Sequence, residues 1–237
     1  MTKRVLILAT KDSPYSYLAI KTLVKNNVPL YGVALGEKGV GVRALEIWNE
    51  RTDGRLAAGD FDEFQSEYFP FFTFPSHADE TFKIFVKEHK IDLLVNAGTP
   101  CILKQDILDA PRIGVLNVHP SILPDYRGCT TMEWSVLNDD PLGNTAHFMV
   151  SAIDEGPIID QEIYQFKKSD GYTDIRRYIY MFNVELMART IRKIIDNDIA
   201  PQSLTPQGEG TYWDVMDDVK LALVKEKLHE GRYKYQR

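Results

Sequence analysis

The chain has 237 residues, a formal net charge of −6, and 44% hydrophobic and 26% charged side chains, as in a globular protein with one sizeable core. The negative net charge and the lack of a basic block argue against a nucleic-acid partner, although a local basic pocket for a phosphate remains an alternative. No apolar run reaches the length of a membrane span or of a signal-peptide core, which argues against a membrane partner. The two cysteines, Cys101 and Cys129, form no CxxC motif, which favours a reducing cytoplasm.

Strands and helices alternate through the first half of the predicted fold. The apolar run 5–9 predicts a buried strand, and Ser13-Pro14 supplies an N-cap and a first-turn proline for a helix to about Lys25. A second strand over 30–35 completes a β-α-β unit, which requires parallel strands. The pattern further predicts strands at 92–96 and 114–119, helices at 76–88, 104–108 and 131–137, a short helix near 44–49 and a core role for the aromatic run 68–74.

The pattern changes in the second half of the chain. Two runs, 145–153 and 158–166, flank the turn 154–157 (Asp-Glu-Gly-Pro) and predict an antiparallel strand pair. A long helix is predicted over 170–196, and an amphipathic helix over 215–228. We therefore predict an α/β fold with a mostly parallel sheet, helices on both faces, an antiparallel extension and a short C-terminal segment.

The segment 117–119 holds the residues with the clearest chemistry. Asn117 and His119 are two apart on a predicted strand, so their side chains project from the same face, close to the carboxyl end where open α/β sheets bind ligands. An amide can donate to a developing oxyanion, and an imidazole can move a proton near neutral pH. Asp154 could orient that imidazole, provided that the fold brings its turn to the same edge.

Three segments here resemble the formyltransferases that use 10-formyltetrahydrofolate: 117–124 (NVHPSILP), 126–128 (YRG) and 154–158 (DEGPI). Asn117, His119 and Asp154 match the catalytic trio of that family in order and approximate spacing. The elements of residues 1–200 fit its Rossmann-like catalytic domain, which leaves 201–237 as a C-terminal extension.

The resemblance implies an N-formyltransferase that needs no metal. In that family mechanism an amine attacks the formyl carbon of the folate and forms a tetrahedral intermediate. Asn117 would donate to its oxyanion, and His119 would accept the amine proton directly or through water. Asp154 would orient His119 and help to relay protons to the departing folate nitrogen.

The resemblance also implies two groups of binding residues. Arg127 either binds a diphosphate or sugar or braces its own loop. Ser13 is explained equally well as a helix cap. Cys101 is interpreted as pocket lining rather than as a nucleophile. The residues expected to contact the folate are Pro100, Cys101, Ile102, Leu103, Leu108, Ser151, Ala152 and Ile153. The residues expected to contact the acceptor are Asp12, Ser13, Tyr15, Gly98, Pro120 and Arg127.

Family features that this chain lacks narrow the acceptor. Its first loop, 10–15, has no glycine, unlike the phosphate loop of members that act on glycinamide ribonucleotide. Members that act on methionyl-tRNA carry a larger C-terminal RNA-binding domain. The turn 126–128 followed by Trp134 resembles the sugar-nucleotide N-formyltransferases of bacterial surface polysaccharide (lipopolysaccharide O-antigen) biosynthesis. The resemblance therefore implies a nucleotide-linked 3-amino or 4-amino deoxysugar as the acceptor.

Several alternatives stay open. The acceptor could be another small amine such as glycinamide ribonucleotide, the reaction could be formyltetrahydrofolate hydrolysis, or the chain could be a folate-binding protein on a degenerate scaffold. The glycine-rich loop 36–41 lacks a GK[ST] ending and is predicted to lie at the surface, where Lys38 or Arg43 could still clamp a phosphate. Tyr212-Trp213 either stacks on a nucleotide base or packs at a dimer interface, and the amphipathic C-terminal helix suggests a homodimer.

Overall fold

The computed structural model describes residues 3–65 and 68–237. Its strands are β1 (Val5–Thr10), β2 (Gly32–Gly36), β3 (Phe71–Phe74), β4 (Leu93–Ala97), β5 (Gly114–His119), β6 (Arg127–Gly128), β7 (Leu142–Phe148), β8 (Ile158–Tyr164) and β9 (Tyr212–Trp213). Its helices are α1 (Pro14–Lys25), α2 (Val42–Thr52), α3 (Asp62–Gln65), α4 (Glu80–Glu88), α5 (Gln105–Leu108), α6 (Thr131–Leu137), α7 (Tyr172–Asn197) and α8 (Asp218–His229).

A seven-stranded sheet in the order β3-β2-β1-β4-β5-β7-β8 forms the centre of the described residues. The first five strands in this order run parallel, whereas β7 pairs antiparallel with β5 and β8 pairs antiparallel with β7. This arrangement confirms the predicted α/β fold with its antiparallel extension. The carboxyl ends of β1, β4 and β5 consequently meet at one edge of the sheet.

Alternate residues of the fully buried strand β1 face two different layers. Val5 and Ile7 pack in a cluster with Ile20 of α1 and Ile191 of α7, and Leu6 packs on the other side in a cluster with α4 and α5. Helices therefore cover both faces, as predicted. Fully burying one such aliphatic side chain contributes about 1.5–3 kcal/mol, so the two clusters account for much of the stability of the sheet.

The structure differs from the sequence prediction mainly at element ends. The aromatic run forms the edge strand β3, in which Phe74 is buried, whereas Tyr68 before it is 56% exposed. Helix α4 begins four residues later than predicted because the Asp79 side chain accepts from Thr81 N at 2.8 Å and caps the helix there. Strand β7 ends at Phe148 rather than at residue 153, which leaves a longer loop before β8.

The C-terminal extension packs onto the rest of the chain. Val224 and Leu228 of α8 lie in a buried cluster with Met132 of α6 and Ile179 of α7. Strand β9 pairs in parallel with β6, and Trp213 stacks on the ring of Tyr126 and makes a tilted contact with Trp134, at centroid distances of 5.4 and 4.8 Å. Trp213 is therefore held by contacts within the chain. Within residues 3–65 and 68–237, no helix has both the length and the apolar character needed to cross a membrane.

Candidate active site

The edge formed by β5 and β7 brings the predicted trio together. Asn117 lies directly opposite His147 in the antiparallel register of these two strands, and His119 lies two residues further along β5. Asp154 projects from the turn between β7 and β8. Its Oδ2 is 3.5 Å from Nδ1 of His119, and its Oδ1 is 3.7 Å from Nε2 of His147. His119 and His147 thus face one carboxylate, and Asn117 is joined to it through His147.

His119 is oriented by a backbone carbonyl. Its Nε2 lies 2.9 Å from the carbonyl oxygen of Tyr126, and because a carbonyl only accepts, Nε2 is the protonated nitrogen. The lone pair of the neutral ring is then on Nδ1, which faces Asp154. Burial lowers the pKa of His119 below 6.5, while Asp154 and the Tyr126 carbonyl act in the opposite direction. A neutral imidazole that can accept a proton is therefore the resting form near pH 7.

The Asp154 turn is fixed by backbone geometry. Asp154 has a φ of 57°, in the left-handed region, and its Oδ2 accepts a hydrogen bond from Gly128 N at 3.0 Å. Gly156 lies so close to the carbonyl of Phe148 that a Cβ there would be 1.7 Å from the oxygen. Only glycine fits at that position, which explains why the Asp-Glu-Gly-Pro sequence can deliver a carboxylate here.

Asn96 on β4 fixes one end of the Asn117 carboxamide. Its Oδ1 accepts from the backbone N–H groups of Gly98 and Thr99, at 3.1 and 3.0 Å. Because these groups only donate, the Asn96 Nδ2 must point the other way, where it donates to Asn117 Oδ1 at 3.0 Å. The oxygen of Asn117 is therefore engaged, and its amide nitrogen faces elsewhere.

His147 fixes the other end of the same carboxamide. Its Nδ1 donates to the carbonyl of Phe148 at 3.0 Å, so its Nε2 is an acceptor, and Asn117 Nδ2 donates to it at 3.1 Å. Burial lowers the pKa of His147 to about 4, with Asp154 opposing and His119 adding to this shift. One hydrogen of Asn117 Nδ2 remains for a ligand. The sequence analysis missed both Asn96 and His147, since only the strand register places them beside Asn117.

A cavity of about 210 Å³ opens beside Asn117. Tyr15 and Tyr180 form its aromatic walls, and Trp48 of α2 stacks on Tyr180 with ring centroids 4.5 Å apart. The Tyr15 hydroxyl donates to Asn183 Oδ1 at 2.5 Å. No lining side chain carries a charge, and three of them were expected to contact the acceptor (Tyr15, Gly98 and Pro120). The lining residues are Tyr15, Asn96, Gly98, Asn117, Val118, Pro120, Tyr180 and Asn183.

The other residues expected to contact the acceptor have different surroundings. Asp12 is exposed, whereas Ser13 is buried and its Oγ accepts from Ser16 N at 3.2 Å, as a helix cap does. Arg127 is buried and outside the cavity lining. Its Nη2 donates to Gln207 Oε1 at 3.1 Å and to the carbonyl of Gly208 at 2.9 Å. These contacts match the bracing interpretation of Arg127.

The residues expected to contact the folate form two layers. Leu103 and Leu108 are buried in the core cluster on one face of the sheet, with Cys101 half-buried at its margin. In contrast, Ile102 is 75% exposed and Ile153 is 49% exposed. The two isoleucines are therefore open to solvent, whereas the two leucines belong to the core. Pro100, Ser151 and Ala152 are also exposed.

Another cavity lies away from the trio, before the amino ends of β1, β4 and β5. It has a volume of about 840 Å³ and is lined partly by Lys3, Arg4, Lys90 and Arg112. Lys3 pairs with Asp198 and Arg112 with Asp92, each at 2.6 Å, so part of its positive charge is already compensated. Among residues 3–65 and 68–237, no group of three or more His, Cys, Asp or Glu side chains could hold a metal ion.

The fold and the site define a member of a known family. Residues 47–191 match the family model described as formyl transferase, which covers more than half of the sequence. The chain therefore belongs to the formyl transferase family.

Individual relatives fall in several branches of that family. Over 145 residues the chain is 27% identical to the methionyl-tRNA formyltransferase of Clostridium tetani, a match that covers 61% of this chain and 46% of that protein. Over 116 residues it is 29% identical to the bifunctional polymyxin resistance protein ArnA of Wigglesworthia glossinidia brevipalpis, covering 48% and 18% of the two chains. The matched segments span less than half the length of the curated relatives.

Solved structures show the same fold at low identity. A sugar N-formyltransferase from Shewanella superposes with a TM-score of 0.60 at 16% identity, covering 91% of this chain and 78% of that one. Glycinamide ribonucleotide transformylase 1 from Symbiobacterium toebii superposes with a TM-score of 0.61 at 19% identity, covering 87% and 93%. At such identities the likeness concerns the fold.

Proposed function

We propose that this protein transfers the formyl group of 10-formyltetrahydrofolate to the primary amine of a nucleotide-linked amino deoxysugar. The observation that carries the proposal is a chain of contacts that runs from Asn117 through His147 and Asp154 to His119, with Asn117 lining an uncharged, aromatic cavity. In this proposal residues 1–200 form the catalytic domain, and the co-substrate supplies the formyl carbon.

Asn117 acts on the carbonyl oxygen of the formyl group. Its free N–H donates to the negative charge that develops there when the amine attacks. Because Asn96 and His147 hold the carboxamide from both ends, the donor needs no reorientation during the reaction. Losing one such donor typically costs about 3–4 kcal/mol of transition-state stabilisation.

His119 acts on the proton of the attacking amine. Its Nδ1 is unprotonated at rest and takes the proton directly or through water. The imidazolium then has Nε2–H bonded to the Tyr126 carbonyl and Nδ1–H beside Asp154, so both of its N–H groups have a partner. Asp154 thereby favours proton uptake and helps to pass the proton on to the departing nitrogen. General base catalysis of this kind contributes about 10²–10⁴-fold.

The cavity favours a sugar ring next to the reacting amine. The C–H faces of a pyranose pack well on aromatic rings such as Tyr15 and Tyr180, and the second N–H of the Asn96 amide can donate to one of its hydroxyls. In glycinamide ribonucleotide the amine is on a short glycyl chain, which would leave these rings without a partner. We place the diphosphate outside the cavity. Lys11 and Lys38 are exposed there on two loops joined by the Val40 N–Lys11 O hydrogen bond of 3.3 Å.

The proposal includes a setting for the reaction. We place it in the cytoplasm, as a step in bacterial surface polysaccharide (lipopolysaccharide O-antigen) synthesis. The protein is proposed to act as a homodimer through α8, whose Val219 and Leu223 are exposed.

A substrate panel tests the function. The protein is incubated with 10-formyltetrahydrofolate and, separately, nucleotide-linked 3-amino and 4-amino deoxysugars, glycinamide ribonucleotide and methionyl-tRNA. We expect the mass of one amino sugar nucleotide to rise by one formyl group. Formylation of glycinamide ribonucleotide or methionyl-tRNA with none on any sugar would overturn the assignment of the acceptor. Loss of the folate substrate without any formylated amine would indicate hydrolysis.

A further inference from the structure

One side chain of the C-terminal extension reaches the turn that carries Asp154. Nε2 of Gln207 donates to the carbonyl oxygens of Asp154 and Gly156, at 3.1 and 2.5 Å. Its Oε1 accepts from Nη2 of Arg127 at 3.1 Å. All of the polar atoms of this carboxamide are therefore engaged, and they join the turn to strand β6.

The turn needs such support. Asp154 has a left-handed φ of 57°, which residues other than glycine hold only where their surroundings fix it. The preceding residues, 151–153, are exposed and bury little surface against the core. The hydrogen bonds from Gln207 hold the peptide groups on both sides of the turn, so they restrict the direction in which the Asp154 carboxylate points.

The same C-terminal segment also fixes the hydrogen-bond donor to Asp154. Gly128 N, which donates to Asp154 Oδ2 at 3.0 Å, belongs to β6. Arg127 N donates to Thr211 O at 3.0 Å, and Cys129 N donates to Trp213 O at 2.8 Å, so the extension holds β6 on both sides of Gly128. Donor and acceptor of this bond are thus both attached to residues 207–213.

We propose that Gln207, braced by Arg127, is a positioning residue that aims Asp154 at His119. The C-terminal extension is then a working part of the catalytic unit, although it contributes no side chain that touches the reacting atoms. This inference rests on the proposed function, because the consequence of aiming Asp154 is expressed in formyl transfer.

The surroundings of Asp154 define what a displaced carboxylate would change. Its charged and titratable neighbours are His119 on β5, His147 on β7, Tyr212 on β9, and Arg127 with Glu155, whose Nη1 and Oε1 are 3.6 Å apart. Moving the carboxylate would separate it from both histidines and would release Gly128 N–H. The backbone amide of Gly128 is therefore a reporter that requires no substrate.

The test replaces Gln207 with Met, which keeps the length of the side chain but removes its polar atoms. We expect kcat to fall by roughly 10²-fold, the usual effect of misplacing a catalytic group by about 1 Å, with the KM for folate and acceptor unchanged. Hydrogen exchange at the Gly128 amide should become faster. The control is Gln202→Met, because Gln202 is exposed in the same extension and should behave as wild type in both measurements.

Two further variants separate the competing explanations. Gln207→Glu retains the acceptor for Arg127 but loses the donors, so it should reproduce the loss of kcat even if the Met variant folds poorly. Arg127→Met combined with Gln207→Met should reduce kcat by less than the product of the two single effects, since the Arg127–Gln207 hydrogen bond is lost in both variants. An independent rise in acceptor KM for Arg127→Met would instead mean that Arg127 binds the diphosphate.

The outcomes are distinct. Wild-type kcat and unchanged Gly128 exchange in both Gln207 variants would overturn the positioning role. If Gly128 exchange rises but no amine is formylated by the wild-type protein, the contact positions Asp154 and the proposed function is what fails.

Discussion

Two buried polar clusters in this molecule differ in the ionisation state of their side chains. In the ion-pair cluster, Oε1 of Glu133 accepts from the guanidinium of Arg176 and from the Tyr172 hydroxyl, with Arg176 Nε at 3.0 Å and the hydroxyl at 2.6 Å. Burial opposes ionisation of Glu133, but Arg176 outweighs it and lowers the pKa of this carboxyl; Glu133 likewise outweighs burial and raises the pKa of Arg176. Both groups stay charged and paired.

The other cluster, formed by Asn117, His119, His147 and Asp154 and proposed above as the catalytic cluster, does the reverse. Burial outweighs the attraction of Asp154 and lowers the pKa of both histidines, so the two rings are neutral at rest. His147 uses both nitrogens in hydrogen bonds, whereas His119 uses only Nε2 and its unprotonated Nδ1 faces Asp154. The ion pair of Glu133 and Arg176 joins α6 to α7. His119, in contrast, is an uncharged base that can accept a proton. Substitutions in the two clusters should therefore affect different properties.

The largest effect is expected at His119. His119→Gln keeps similar size and polarity but cannot take up a proton near neutral pH. We expect kcat to fall by about 10²–10⁴-fold, while the midpoint of denaturant unfolding stays close to that of the wild type. Steady-state kinetics measures the fall in kcat, and urea denaturation measures the unfolding midpoint. A variant that is as active as the wild type would remove His119 from the mechanism.

A substitution in the ion-pair cluster should change stability instead. Glu133→Leu leaves the buried Arg176 without its counter-charge, and we expect the free energy of unfolding to fall by about 3–5 kcal/mol. The kcat of the remaining folded protein should stay within the wild-type range. The double variant with Arg176→Met should recover part of the loss, because no unpaired charge remains. Full activity loss with unchanged stability would contradict the division between the clusters.

His147 tests how the catalytic cluster is held in place. His147→Leu removes the acceptor for Asn117 Nδ2, so we expect kcat to fall by about 10-fold to 10²-fold through misorientation of the carboxamide. His147→Gln places an amide oxygen within reach of the same N–H and should restore most of the rate. Equal rates for the two variants would show that the hydrogen bond does not position Asn117.

The smallest effect concerns pH. Because His147 has a pKa of about 4 in the folded protein and near 6.5 when unfolded, the unfolded chain binds more protons between these values. Stability contributed by the neutral ring is therefore fully present above pH 6.5 and is lost as pH falls towards 4, with a slope of up to about 1.4 kcal/mol per pH unit. Urea unfolding at several pH values should show that the free energy of unfolding depends less steeply on pH in His147→Gln than in the wild type. An unchanged pH dependence would mean that other groups cause it.

Local sequence patterns predicted most of the fold. The strand 114–119 and the helix 131–137 match the structure at both ends, because each is defined by its own apolar spacing and by nearby glycine or proline signals. The edge strand 71–74 was interpreted only as core, since a short aromatic run has no clear period. Residue types together with the resemblance of three segments to a known family indicated Asn117, His119 and Asp154 as candidate site residues, and the structure brings Asp154 to 3.5 Å from His119.

The rest of the site depends on contacts that no local pattern encodes. His147 faces Asn117 only through the pairing register of β5 and β7, and Asn96 reaches it from a neighbouring parallel strand. Gln207 lies 53 residues after Asp154 in a segment without periodic character. For Arg127 the sequence left two roles open, and the structure shows protein atoms around its guanidinium because the C-terminal extension folds back over β6.

The central claim, formyl transfer to an amino sugar, is tested most directly by following a carbon label. 10-Formyltetrahydrofolate labelled in the formyl carbon is incubated with the protein and a nucleotide-linked amino deoxysugar, and the products are observed by ¹³C NMR. We expect a labelled formamide on the sugar that forms with wild-type protein and is strongly reduced with His119→Gln. Label that appears only as free formate, or that reaches the sugar equally fast with both proteins, would contradict it.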